Sequence, residues 1–239
     1  MKKRICALAL TLALAAGGLS LASDLKMSDG HILPLGNEMT IREADKSYVG
    51  KELQKEWNRE KVEKEILPAV KRMRLFGKGD ALHEKMMAKQ LGRLFEATRF
   101  SQLQMETKEA FHQAVVMSVK LEEKDIAGWN EIIRAMEKAH PGKIDILGEN
   151  RTLNLETIRE SMKKEDGHDR FVYKKDGQTE FIYGSIFLFA EQYGVETPFY
   201  VFFIATADKG QFGVTAIYTN QATGRIMEPV LVKGAEGLR

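Results

Sequence analysis

The sequence predicts an α+β protein: a C-terminal antiparallel β-meander sheet packed by helices, preceded by a charged, helical N-terminal half. Three observations carry that expectation. Of the chain's 20 aromatic residues, 13 lie between Phe171 and Tyr218, so the main core belongs there. Across that stretch, strand-like runs at 170–173, 181–193, 197–207 and 211–220 are divided by turn residues, among them Asp176-Gly177 and Asp208-Lys209-Gly210. In front of it, Ile126, Trp129, Ile132, Ile133, Met136 and Ala139 recur at helical spacing, with Asp125 as a cap and Pro141-Gly142 as a stop.

Taken in order, residues 1–22 have the pattern of a secretory signal peptide. Lys2, Lys3 and Arg4 precede an apolar run from Ile5 to Ala16, and Ser20-Leu21-Ala22 places small residues at a cleavage site. The run is short for a membrane span, which needs ~20 apolar residues. Cys6 lies too early to accept a lipid. Cleavage after Ala22 would remove three of the 36 basic residues, none of the 34 acidic ones and the single cysteine. The remaining chain, 23–239, has almost no net charge and no disulfide, and reads as one α+β domain with a helical subregion at 42–98 and a β-rich region at 108–220. Near-neutrality argues against a globally basic nucleic-acid binder. No later stretch is apolar enough to span a bilayer.

Residues 24–41 alternate and turn at Asp29-Gly30, which predicts a marginal hairpin or an edge strand, with Pro34 unable to donate in a central ladder. Residues 42–76 read as a charged helix. Val49, Leu53 and Trp57 form one stripe, Val62, Ile66, Ala69, Val70 and Met73 another, and Pro68 is expected to kink or restart it. Gly77-Lys78-Gly79 ends it, and Asp80 caps a second helix bearing Leu82, Met86, Met87, Leu91, Leu94 and Phe95. Residues 99–114 fit helix or strand; β-branched Val115 to Leu121 favours a strand. A short strand over 144–147 and a helix capped by Asn154, with Leu155, Ile158 and Met162, precede a polar break at 163–169. Apolar residues alternate onto both faces of 199–204, so that strand is expected to be central. The lighter 211–220 strand is expected near an edge. After Gln221 the glycines and Pro229 predict a short 226–232 segment and a loose tail.

The chemistry-bearing motifs are few. The chain has no Gly-x-Ser-x-Gly elbow, metal-binding His-Glu-x-x-His, phosphate loop or dinucleotide fingerprint. His31, His83, His112, His140 and His168 are scattered, none four residues from another. His168 and Asp169, within 165–169, and Ser185, beside Gly184, are the acid–base and nucleophile candidates, against ordinary turn and packing roles. Lys71, Arg72, Arg74 and Lys78 make a basic patch suited to anionic headgroups or an acidic partner, or else a solvated helix end. The tyrosines, Tyr200 and Tyr218 above all, can line a ligand groove or pack the core. Trp57 with its helix can serve a partner or its own sheet. The expectation is an exported, non-enzymatic module that binds a protein or small ligand through Trp57, Lys71, Arg72, Arg74, Tyr200 and Tyr218, without metal or cofactor. The alternatives are a small exported hydrolase and an oligomeric envelope scaffold.

Overall fold

A computed structural model describes residues 24–43, 59–144, 147, 152–161, 171–192, 195–208 and 210–239. Its centre is a seven-stranded, wholly antiparallel sheet. The strands are β3 (Thr40–Glu43), β4 (Arg99–Glu106), β5 (Phe111–Leu121), β6 (Phe171–Asp176), β7 (Thr179–Gln192), β8 (Val195–Asp208) and β9 (Gln211–Asn220), in the spatial order β3-β4-β5-β9-β8-β7-β6. Strands β1 (Asp24–Lys26) and β2 (Ile32–Pro34) form a separate hairpin, as the Asp29-Gly30 turn predicts; Gly30 takes φ +98° there.

The described helices are α1 (Arg59–Met73), α2 (Ala81–Ala97), α3 (Glu123–Ala139), α4 (Leu155–Ser161) and α5 (Gln221–Glu236). After β5 the chain passes through α3 and α4 to the far edge of the sheet. It then returns by hairpins β6 to β9 until β9 pairs with β5, with Ser118 opposite Thr215. That pairing joins the two halves of the chain into one sheet.

β8 is central, as its two apolar faces require. Tyr200, Phe202 and Ile204 point into one core, with Ile217, Val116 and Leu103. Ala205 points into a second, with Phe171, Ile182, Phe212 and Leu121, while Phe203 packs against it. Gly184 stands in register between Phe171 and Phe203, and those two rings meet edge to face at 5.8 Å. The second core is covered by the other helices, with Leu94 of α2, Trp129 of α3 and Ile158 of α4 against it. Trp129 also joins a third cluster, in which Val70, Phe76 and Ile132 tie α1 and α2 to α3. Met136 of α3 packs in this third cluster as well.

Four expectations need correction. The strand 211–220 is not near an edge: β9 lies between β5 and β8, because β5 takes its open side. Ile217, which breaks its alternation, is fully buried in the first core. The end of the chain is not a loose tail but α5, with Asn220 as N-cap accepting from Thr223 N at 2.9 Å. Its glycines are contact points: a Cβ on Gly224 would overlap the Tyr200 ring, and one on Gly234 would stand 2.5 Å from Pro34 O. Pro229 lies on the exposed side, where the hydrogen bond it lacks is least costly. Beyond the helix, Ile32 N donates to Arg239 O at 2.7 Å and Arg239 N to Ile32 O at 3.1 Å, so the last residue continues the small hairpin.

The other two corrections concern the predicted N-terminal helix. Residues 42–43 belong to β3, paired with Gln102 and Ser101. α1 then runs through Pro68 without restarting, because that proline too faces solvent. The Val49, Leu53 and Trp57 stripe, the break at 163–169 and most of 144–147 lie outside the described residues. The ambiguous 99–114 segment is β4 and the start of β5, turned by Thr107, whose Oγ1 accepts from Ala110 N at 3.1 Å.

Gly224→Ala forces the Tyr200 ring or α5 to move, and overpacking of this kind costs about 1–3 kcal/mol. Gly237→Ala, with its nearest neighbour at an ordinary 3.4 Å, serves as the control. Urea unfolding is expected to show a lowered midpoint for the first variant alone; equal midpoints contradict the packing described.

Candidate functional site

α2 lies on α3 close to where β5 ends, and at that junction a cleft of about 320 Å3 opens. Gln90, Arg93, Leu94 and Ala97 line it from α2, Lys120 and Leu121 from β5, and Glu122, Lys124, Asp125 and Trp129 from the start of α3. Its volume is at the lower end of small-ligand sites. Leu94, Ala97, Leu121 and Trp129 supply an apolar wall. Three cations and two carboxylates surround it.

Local sequence explains the placement. Glu122 and Asp125 open α3: Asp125 N donates to Glu122 O at 2.9 Å, and Glu122 N to Asp125 Oδ2 at 3.2 Å. This satisfies the helix start internally and turns Trp129, one helical turn on, toward the sheet. Gly128 precedes Trp129 in an otherwise regular helix. A Cβ there would overlap Gln90 Nε2, so the glycine is what lets the Gln90 amide lie on the α3 backbone. Gln90 is 8% exposed, and its Oε1 has no hydrogen-bond partner. A buried acceptor left unmade costs about 1–3 kcal/mol.

The charges are unevenly paired. Lys124 Nζ is 2.6 Å from Glu122. That contact lowers the Glu122 pKa and raises that of Lys124, through the hydrogen bond first and the charge second, so both stay ionised at neutral pH. Arg93 reaches Asp125 only at 3.9 Å, and Lys120 has no ion-pair partner among the described residues. Arg93 and Lys120 are the cations left with charge to offer a ligand.

The residues singled out in the sequence do not come together here. Trp57 lies outside the described residues. Lys71, Arg72 and Arg74 are exposed at the end of α1. Tyr200 is fully buried under α5, while Tyr218 is partly buried on the other face of the sheet, so the two cannot line one groove. Ser185 donates to Glu228 of α5 beside Tyr200. The histidines His31, His83, His112 and His140 contact Asp29, Asp80, Thr107 and the Arg74 carbonyl, not Ser185. His168 and Asp169 lie outside the described residues. Among the described residues no cluster of His, Cys, Asp and Glu is arranged to hold a metal.

Two signals in the sequence mark the cleft, although no motif spans it. Gln90 interrupts the apolar stripe of α2, three residues after Met87 and four before Leu94. Gly128 interrupts α3 next to its tryptophan. Glutamine is itself a good helix former, so only Gly128 departs from helix propensity, and a side chain there would meet Gln90.

No family model matches the chain, and no curated protein and no solved structure matches it. The functional reading therefore rests on the site's own chemistry.

Burial raises the hydroxyl pKa of both Tyr200 and Tyr218, and at Tyr200 the Glu228 charge adds to it. An unfolded tyrosine ionises near pH ~10. Above that pH the unfolded chain releases protons that the folded chain retains. The stability these groups contribute is thus complete below about pH 10 and is lost as pH rises toward the higher folded values. Urea midpoints followed from pH ~8 to ~11 are expected to fall at the alkaline end, and to fall less in Tyr200→Phe. An identical fall in the variant contradicts this assignment.

Proposed function

We propose that the protein is an exported, non-enzymatic binding module that takes a small amphiphilic anion in the cleft between α2 and α3. Export is supported by the signal-peptide pattern of residues 1–22. The observation that carries the ligand reading is Gln90: an amide buried against Gly128, with an unpartnered acceptor, at the wall of a cleft that also presents Arg93, Lys120 and Trp129. A folded chain gains nothing from such an atom unless something else donates to it. A ligand that fits has an anionic group for Arg93 and Lys120, a flat apolar body for Trp129 and Leu94, and an N–H or O–H for Gln90 Oε1. The hydrolase alternative has less support, since none of the four described histidines contacts Ser185.

Dansylglycine has these three features in a fluorescent molecule: a carboxylate, a naphthalene ring and a sulfonamide N–H. It is expected to bind saturably, with energy transfer from tryptophan. Gln90→Met should weaken it about tenfold, the equivalent of ~1.4 kcal/mol for one hydrogen bond. The same change should leave Tm unchanged or raise it, because the buried unpartnered atom is gone. Arg93→Ala and Lys120→Ala should each weaken binding severalfold. Parental affinity in Gln90→Met and both cation variants would sink the proposal, as would a Gln90→Met variant that binds normally but unfolds readily.

A further inference from the structure

The most exposed large apolar side chains among the described residues are Leu82, at 64%, and Met73, at 62%. They flank one short connection, the 74–80 turn between α1 and α2. From Lys71 to Lys89 the chain carries six cations, Lys71, Arg72, Arg74, Lys78, Lys85 and Lys89, all exposed, against the acids Asp80 and Glu84. Asp80 is already engaged as the α2 cap: its carboxylate accepts from His83 N at 3.2 Å and lies 2.7 Å from His83 Nδ1. The exposed end of α3 adds Lys138 beside it.

The turn is held in place from within. Phe76 is buried in the cluster with Val70 and Ile132 and stacks on His83 at 5.9 Å. Arg74 takes φ +51°, unusual for a residue with a side chain, and its carbonyl meets His140 Nε2 at 2.9 Å. These contacts fix the corner while Met73 and Leu82 remain outside it. Two isolated apolar side chains set among cations, on a closed helical corner, do not form the continuous apolar patch of a protein interface. They match the boundary between anionic headgroups and acyl chains, where apolar tips enter and lysine and arginine stems reach back to phosphate.

We propose that the α1–α2 corner docks the protein on an anionic phospholipid surface, with Met73 and Leu82 entering the headgroup layer and Lys71, Arg72, Arg74 and Lys78 meeting the phosphates. This site is separate from the α2–α3 cleft and does not depend on a ligand there.

The test is flotation of the processed chain with vesicles of phosphatidylcholine alone or mixed with phosphatidylglycerol. Binding is expected only with phosphatidylglycerol, and about 0.5 M salt should release it. Arg72→Glu with Lys78→Glu should lower the partition at least tenfold. Met73→Ser with Leu82→Ser should lower it severalfold at unchanged charge, and both pairs should keep the parental Tm because the positions are exposed. Equal binding to both vesicle types, binding to neither, or full binding by either double variant overturns the proposal. Loss of vesicle binding to an equal charge of soluble polyphosphate, with the serine variant indistinguishable from the parent, assigns the patch to a soluble polyanion and overturns it too.

Discussion

The contact on which the layering depends is that of α5 with β8, where the Tyr200 ring fills the space left by Gly224. β8 is apolar on both sides, and either side alone left in water would expose several large side chains, each worth about 1.5–3 kcal/mol when buried. The helices between β5 and β6 can cover only one face. α5, reached directly from β9, covers the other, and its close approach requires glycine where it crosses Tyr200. The β1–β2 hairpin completes that layer. Ser28 exchanges hydrogen bonds with Ser118 at 2.8 and 2.7 Å, Thr206 donates to the Asp29 carboxylate, and Gly213 leaves room for that carboxylate. Arg239 closes the layer by pairing with Ile32.

The opposite face is built differently, and that difference creates the cleft. There α3 is shared between the sheet and the α1–α2 pair, with Trp129 touching both clusters. α3 is also tied to the chain that follows it: Glu137 accepts from Leu147 N at 2.9 Å and Asn130 from Leu153 N at 2.7 Å. The cleft opens where the start of α3 meets α2 and the end of β5, and the Gln90 acceptor at its wall has no partner. Under the hairpin Ser28, Ser118, Thr215, Thr206 and Asp29 satisfy one another, as structural groups are expected to. The Gln90 acceptor has no partner, and neither does the Tyr200 hydroxyl beneath α5. What sets Gln90 apart is its place at the wall of a cleft with Arg93, Lys120 and Trp129.

Local features of this fold were legible in the sequence, and non-local ones were not. The two-faced pattern of 199–204 located the central strand, and the spacing of Ile126, Trp129 and Ile133 located α3. Asp-Gly and Gly turns fell where φ is positive, at Gly30, Gly142, Gly177 and Gly210. The pairing of β5 with β9 joins residues 97 apart, as in Ser118 and Thr215, and no local pattern records it. α5 was hidden for a related reason. Gly224, Gly234 and Pro229 read as helix breakers when only propensity is considered, and tertiary contact overrides propensity. The tyrosines illustrate the same limit for sites: composition brought Tyr200 and Tyr218 forward, but strand parity sends them to opposite faces. The basic run 71–78 was visible, whereas the exposure of Met73 and Leu82 beside it depended on how Phe76 is buried. The cleft draws on α2, β5 and α3 together, so its members carry no shared motif.

The ligand proposed for the α2–α3 cleft should travel with the protein. Native mass spectrometry of the protein, isolated gently from its own cells, tests it most directly. A species heavier than the bare chain by a few hundred daltons is expected, lost in Gln90→Met isolated the same way. The mass of the bare chain alone, or an added mass that persists in Gln90→Met, would contradict it.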